Sequence, residues 1–295
     1  MRVSHPPPAI LILVFAVVAV SWAAILIRLA SAPPLAIAFW RLALACLMIL
    51  PLVIRRPLHR PPAASAGRVI MAGVLLALHF GFWIWSLALT TISSSVLLTS
   101  TQAVFSGVLG HRLLRERTTR RTWLAIALTL AGVGFIGAGD VHVSGRVLLG
   151  DLMALAAAGA AAVYLILGRR GRKSGPLLIY LFNVNGVAAM VLLLSCLAAG
   201  IPLSGFPSGT WLVFLALALG PHLAGHGLLN LAVRQVPATS VQLALMGEPV
   251  LATIYAAFLL GERPGGWFYA GAALVLGGIL MEFLPVGDAV QEGRA

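Results

Sequence analysis

Apolar runs of about twenty residues recur along almost the whole chain, and nothing else in the sequence restricts its fold so tightly. Such a run, wound as a helix, crosses the roughly 30 Å hydrocarbon layer of a bilayer. Inside that layer every backbone N–H and C=O needs a partner within the protein, which leaves helices or closed barrels. The runs are continuous and lack a period of two, so they read as helices. Ten are expected, over 9–30, 34–54, 69–89, 93–113, 121–139, 148–168, 176–199, 211–232, 238–260 and 266–284. The breaks between them are turn and charge clusters such as SAPP at 31, RRPLHRPP at 55 and IPLSGFPSG at 201. With 60% hydrophobic and only 9% charged residues, the chain is an all-α membrane protein and the lipid bilayer is its first partner. The N-terminal run is too long for a typical signal peptide and reads as a retained span. Cys46 and Cys196 both lie inside apolar runs, which gives no disulfide framework.

The net charge of +12 does not point to nucleic acid. Sixteen of the twenty Lys and Arg residues fall on the side of the N-terminus if the ten spans alternate, three fall on the other, and Arg41 lies within a span. That asymmetry places both termini in the cytoplasm.

The spans also repeat. STQAVFSGVLGHRLLRER at 100–117 matches MGEPVLATIYAAFLLGER at 246–263 at a shift of 146. Ser94 falls on Ser240, Gln102 on Glu248, Glu116 on Glu262, Arg117 on Arg263 and Gly132 on Gly278. PPLAIAFWR matches GPLLIYLFN at a shift of 142, placing Arg41 on Asn183. Two units of five helices result, 1–140 and 141–295. Five is odd, so the second unit enters the membrane inverted. This explains why the turn at 114–121 is basic and its copy at 261–266 is nearly bare of charge. Inverted repeats are a secondary-transporter architecture, with the substrate site between the halves near the midplane.

With FWR at 39–41, the RER and GER turns at 115 and 261, EPV at 248–250, and the glycine-rich ends AGVGFIG and LGGI, the chain resembles the drug/metabolite transporter superfamily, of the ten-helix EamA type. Its length, aromatic content and the region of His79 are similar to the aromatic amino acid exporters. The first copy departs from the pattern, carrying QAV where the second has EPV. The resemblance implies a multi-pass carrier of a bacterial-type inner membrane that exports amino acids, aromatic ones included, and similar small amphiphilic metabolites. The alternative is a multidrug or nucleotide-sugar carrier of the same superfamily. A cavity poor in Lys and Arg argues against sugar nucleotides, whose phosphates call for several cations.

Polar groups inside spans are the site candidates, because hydrocarbon penalises them unless they are partnered or face a wet cavity. Glu248 sits near the middle of the ninth span, as a proton-coupling carboxylate, an ammonium ligand or a structural hydrogen-bonding group. Arg41 can bind a substrate carboxylate, pair with Glu248 or snorkel outward. His79, Trp83 and Ser86 share one helix face, and so do Ser95, Thr99 and Gln102; each stripe lines a groove or glues helices together. His222 and His226 stand four apart, but two histidines without a further ligand do not make a zinc site. Tyr180, Asn183 and Asn185 form another polar cluster, with Asn183 the repeat partner of Arg41. Trp40 and Trp83 offer rings for apolar or aromatic solutes, or simply pack. Ala127 and Ala131 match Ala273 and Gly277, small residues that pack the bundle or form a homodimer contact through the fifth and tenth spans. No metal or cofactor is expected. No nucleophile–base set or phosphate loop points to an enzyme. Single cysteines placed in 114–121 and in 261–266 are expected to label with an impermeant maleimide from opposite faces of the cell; labelling from one face would remove the inverted repeat.

Overall fold

The computed structural model describes residues 7–55, 63–90, 92–114, 118–137, 145–171, 176–261 and 264–284. The repeat pairs Glu116–Glu262 and Arg117–Arg263, the boundary at 140, the RRPLHRPP turn beyond Arg55 and the C-terminal tail lie outside the described residues. The described residues are helical, and the helices group into ten spans. The first is α1 (Pro7–Val20) with α2 (Ala23–Leu29), the second α3 (Pro34–Ile54) and the third α4 (Ala63–Leu89). The fourth is α5 (Ile92–Ser100) with α6 (Gln102–Leu114), and the fifth α7 (Arg120–Gly137). The sixth and seventh are α8 (Gly145–Gly171) and α9 (Leu177–Ala198). In the eighth, α10 (Ser208–Leu217) runs through a π-helical stretch, Ala218–His226, into α11 (Gly227–Ala232). The ninth is α12 (Ala238–Leu245) with α13 (Glu248–Leu260), and the tenth is α14 (Gly266–Phe283).

Eight of the ten are long and apolar enough to cross a membrane by length and composition. The fourth and fifth fall short for local reasons. The fourth is interrupted and rich in Ser and Thr, and it packs inward against α7, α8 and α12. The fifth opens on Arg120 and Arg121.

The fifth and tenth spans show the repeat in atomic detail. An added Cβ at Gly132 would come within 2.6 Å of the Gly271 carbonyl oxygen and 2.7 Å of the Val275 nitrogen. At Gly278 it would come within 2.7 Å of the Ala125 carbonyl oxygen and would also strike Thr129. Gly278 is Gly132 shifted by 146, and Gly271 and Val275 are Ala125 and Thr129 shifted by the same amount. Each half therefore presents the same atoms to the other, as a two-fold interface requires. Low-numbered residues of α7 meet high-numbered ones of α14, so the helices run antiparallel; Arg121 Nη2 donates to the Leu284 carbonyl at 2.6 Å at one end of the pair. The contact is intramolecular and uses the glycines. Ala127, Ala131 and Ala273 face outward.

At the C-terminal end of the sixth span, Arg169 Nη1 donates to the Val233 carbonyl at 2.6 Å and to the Val236 carbonyl. This clamps the link between the eighth and ninth spans. Gly132→Val and Gly278→Val are each expected to destabilise the protein by about 1–3 kcal/mol, because the colliding atoms are largely backbone and cannot swing aside. Gly134→Ala, with nothing within 4 Å of the added carbon, serves as the neutral control. Melting curves in detergent read all three, and equal melting points would show that the helices do not meet there.

Candidate functional site

Two half-helices begin inside the bundle at the same repeat position. The fourth span stops at Ser100, turns at Thr101 and resumes at Gln102. The ninth stops at Leu245, turns through Met246 and Gly247, and resumes at Glu248. Each is one apolar run in the sequence and two helices in the structure, the ninth dividing beside Pro249, the proline expected to bend it. Pro249 at the second position of α13 has no N–H to continue the ladder, which accounts for the second break. The Thr101 Oγ1 hydroxyl donates to the Leu98 carbonyl at 2.5 Å, and the Thr101 carbonyl accepts from Val104 at 2.9 Å, closing the first break locally.

Both breaks border one cavity, lined by Val20, His79, Trp83, Val96, Thr99, Ser100, Gln102, Leu245, His226, Glu248 and Pro249. Counted by where the centre of a water-sized sphere fits, it holds about 30 Å³. Smaller cavities of about 20 and 10 Å³ continue past Tyr164 and Asn230 to Asn185 and His222, and His226 lines all three. At roughly 10–15 Å³ per water, the first takes about two waters. The space at the centre is therefore far smaller than a metabolite. The Gln102 amide, the His226 ring and the Glu248 carboxylate make no hydrogen bond to a described residue, so their polar atoms serve whatever fills the cavity.

The walls are fixed by packing around Phe80. The Arg41 guanidinium carbon lies 4.3 Å from the centre of the Phe80 ring. The rings of His79, His226 and His222 lie 4.8, 5.1 and 5.6 Å from it. Arg41 is fully buried and none of its three side-chain nitrogens is hydrogen-bonded, so the ring face is its close partner. His79 Nδ1–H donates to the Ala157 carbonyl at 3.1 Å, leaving Nε2 as the acceptor in the neutral ring. His222 Nε2 donates to Asn185 Oδ1 at 3.1 Å. Tyr164 and Asn230 bond each other at 2.7 and 3.0 Å. Among the described residues no three His, Cys, Asp or Glu side chains gather as metal ligands.

The first and eighth spans close the other wall, and both are irregular. The first breaks at Ser21–Trp22, where the Ser21 hydroxyl bonds the Val17 carbonyl at 2.6 Å. Gly225 in the π-helical stretch admits Val20, whose Cγ2 would be 2.5 Å from an added Cβ. Pro221 sits within that stretch, where its missing N–H favours a widened turn. Trp22 stacks on Tyr255 of α13 at 4.6 Å, joining the break in the first span to the half-helix that carries Glu248.

The pattern of the EamA-like transporter family matches the chain twice, over residues 7–138 and 148–284, once in each half. The chain belongs to that family. This EamA-like transporter is 26% identical over 262 residues to "Uncharacterized transporter YwfM" of Bacillus subtilis (strain 168), covering 85% of this chain and 84% of that one. It is 25% identical over 258 residues to "Uncharacterized transporter YdfC" of the same strain, covering 85% and 82%. A crystal structure titled only "Crystal structure of protein" superposes with a TM-score of 0.80 over 94% of this chain and 98% of its own, at 20% identity, and shares the fold.

In this EamA-like transporter His79, Trp83, Thr99, Gln102, His226 and Glu248 meet at the central cavity, and His222 lines its far extension. Other candidates lie elsewhere. Ser86 and Ser95 bond each other at 2.6 Å and glue the third span to the fourth. Trp40 donates Nε1–H to the Leu203 carbonyl at 2.9 Å and packs edge-on against Trp211, in an aromatic cluster at one end of the bundle. Tyr180 packs half-buried against the core, and Asn183 is half-buried and lines none of these cavities. Two residues on, Asn185 is the one that turns inward. Arg41 neither snorkels nor hydrogen-bonds Glu248. Phe80 had no sequence signal, being one apolar residue among many. Phe80→Ala is expected to lower stability by about 3–5 kcal/mol, the ordinary cost of emptying a buried aromatic site, with the uncovering of Arg41 adding to it; thermal unfolding in detergent measures it, and a loss below about 1 kcal/mol would deny Phe80 that role.

Proposed function

We propose that this EamA-like transporter is a secondary carrier that exports amino acids, aromatic ones included, and similar small amphiphilic metabolites by alternating access from the central cavity. The observation that carries the reading is the cavity itself. It lies where both halves break at one repeat position, and it combines apolar and aromatic walls with polar groups, among them Gln102, His226 and Glu248, that bond no described residue. Trp83, Val20, Val96, Leu245 and Pro249 offer the apolar surface that would bury a substrate side chain. Gln102, His79, His226 and Glu248 offer the groups that would hold a charged or polar end. Small-molecule sites of about 300–1,000 Å³ are usual, so the walls must part for a solute to enter. The interruptions at 21–22, 101 and 246–247 and the π-helical stretch are the bending points for that motion. The distribution of Lys and Arg supports an inner membrane with both termini in the cytoplasm. The outward alanine faces of the fifth and tenth spans suit a homodimer contact.

Glu248 is the one carboxylate lining the cavity, and it keeps a lipophilic-cation exporter as the second reading. In liposomes, preloaded tryptophan or phenylalanine is expected to drive uptake of the labelled amino acid, with other amphiphilic metabolites competing. Movement of lipophilic cations with no movement of any amino acid would replace the first reading with the second. Trp83→Ala should raise the half-saturation concentration for tryptophan by about tenfold, the effect of roughly 1.4 kcal/mol of lost contact, and change that for alanine little. An equal change for both would remove Trp83 from side-chain recognition.

A further inference from the structure

The two inner half-helices differ at their shared opening position by one chemical change. Each is 13 residues long, and each begins on the cavity. A helix start exposes N–H groups without intrahelical acceptors and carries a partial positive charge. In α13 that charge is met by the helix's own Glu248, the acidic residue of its first turn. In α6 the first turn holds no acidic residue, and the equivalent position is Gln102. Gln102 is only 5% exposed, its amide bonds no described residue, and it lines both the central cavity and its extension. The site therefore has an electropositive end, made of a helix start and an amide N–H₂, and an electronegative end, made of a carboxylate that accepts only. Both ends border the same cavity, so one small solute in it meets both.

We propose that Gln102 and Glu248 select a zwitterion: the start of α6 with the Gln102 amide takes the substrate carboxylate, and Glu248 takes the ammonium. This rests on the amino acid reading above and adds which charge goes where. A dicarboxylate would place like charge against Glu248, and a diamine would place it against the α6 start.

Three probes with the same indole side chain test it in liposomes: tryptophan, its amide (a cation) and its N-acetyl derivative (an anion), each competing against labelled tryptophan. The wild type prefers tryptophan to both derivatives. Glu248→Gln shifts the preference toward N-acetyltryptophan by about tenfold, and Gln102→Glu shifts it toward the amide by about tenfold, the change that losing one charge-assisted hydrogen bond of ordinary strength produces. The double exchange, Gln102→Glu with Glu248→Gln, returns the preference to the zwitterion, since the repeat supplies an equivalent position in the other half. If both single variants keep the wild-type order of the three probes, the charge assignment is overturned while the carrier reading stands. If the wild type moves none of the three, both fall. Should the variants not fold, protection of the wild type against heat by each probe decides: preferential protection by tryptophan supports the assignment, and equal protection by all three overturns it.

Discussion

A backbone in hydrocarbon can leave its helical hydrogen bonds only where protein or trapped water answers the freed groups. That constraint organises this molecule. Its interruptions, at Ser21–Trp22, at Thr101, through Ala218–His226 and at Met246–Gly247, lie in four different spans, yet residues beside each of them border one cavity. The straight helices, α3, α4, α8 and α9, enclose them, and α7 with α14 forms a separate tight pair. Irregular backbone is thus concentrated where the polar side chains are. The same enclosure that shields a broken helix from lipid also brings Gln102, His226 and Glu248 together.

The two halves are alike where they hold the bundle together and unlike where they face the cavity. The backbone atoms that Gly132 and Gly278 meet across α7 and α14 correspond at a shift of 146, whereas α6 and α13 share a starting register but open on Gln102 and Glu248. The first and eighth spans are broken or widened, whereas the sixth and third, their counterparts by position in the other half, run straight. The differences here lie in the elements that touch the cavity.

Much of this was legible in the residues. Span positions followed from apolar runs, because bilayer thickness sets their length. The 146-residue register, read from Ser94, Gln102 and Gly132, is the register in which the helices pack. The stripe of His79 and Trp83 did face inward. Other parts left no trace in one dimension. Thr101 interrupts a span with neither Pro nor Gly, so nothing marked the break; its copy at Gly247–Pro249 was the available hint. Ser86 and Ser95 satisfy each other, an outcome that depends on how two helices lean together. Asn183 and Asn185 are two residues apart and so lie on different faces, and the repeat alignment pointed to the one that stays out. Arg41 lies against the Phe80 ring of the third span, a contact that only tertiary packing assembles.

The reciprocal contact of α7 with α14 also bears on how the chain is made. Gly132 leaves a strip of bare backbone on α7, and its cover, Gly271 and Val275, comes more than 130 residues later. At about 5–20 residues per second of synthesis, that strip waits roughly 7–30 s in the lipid before its partner emerges. The final helix is thus a keystone as much as a span: a nascent chain released short of it would hold an open face, ready to pair with the wrong neighbour or to be taken by quality control.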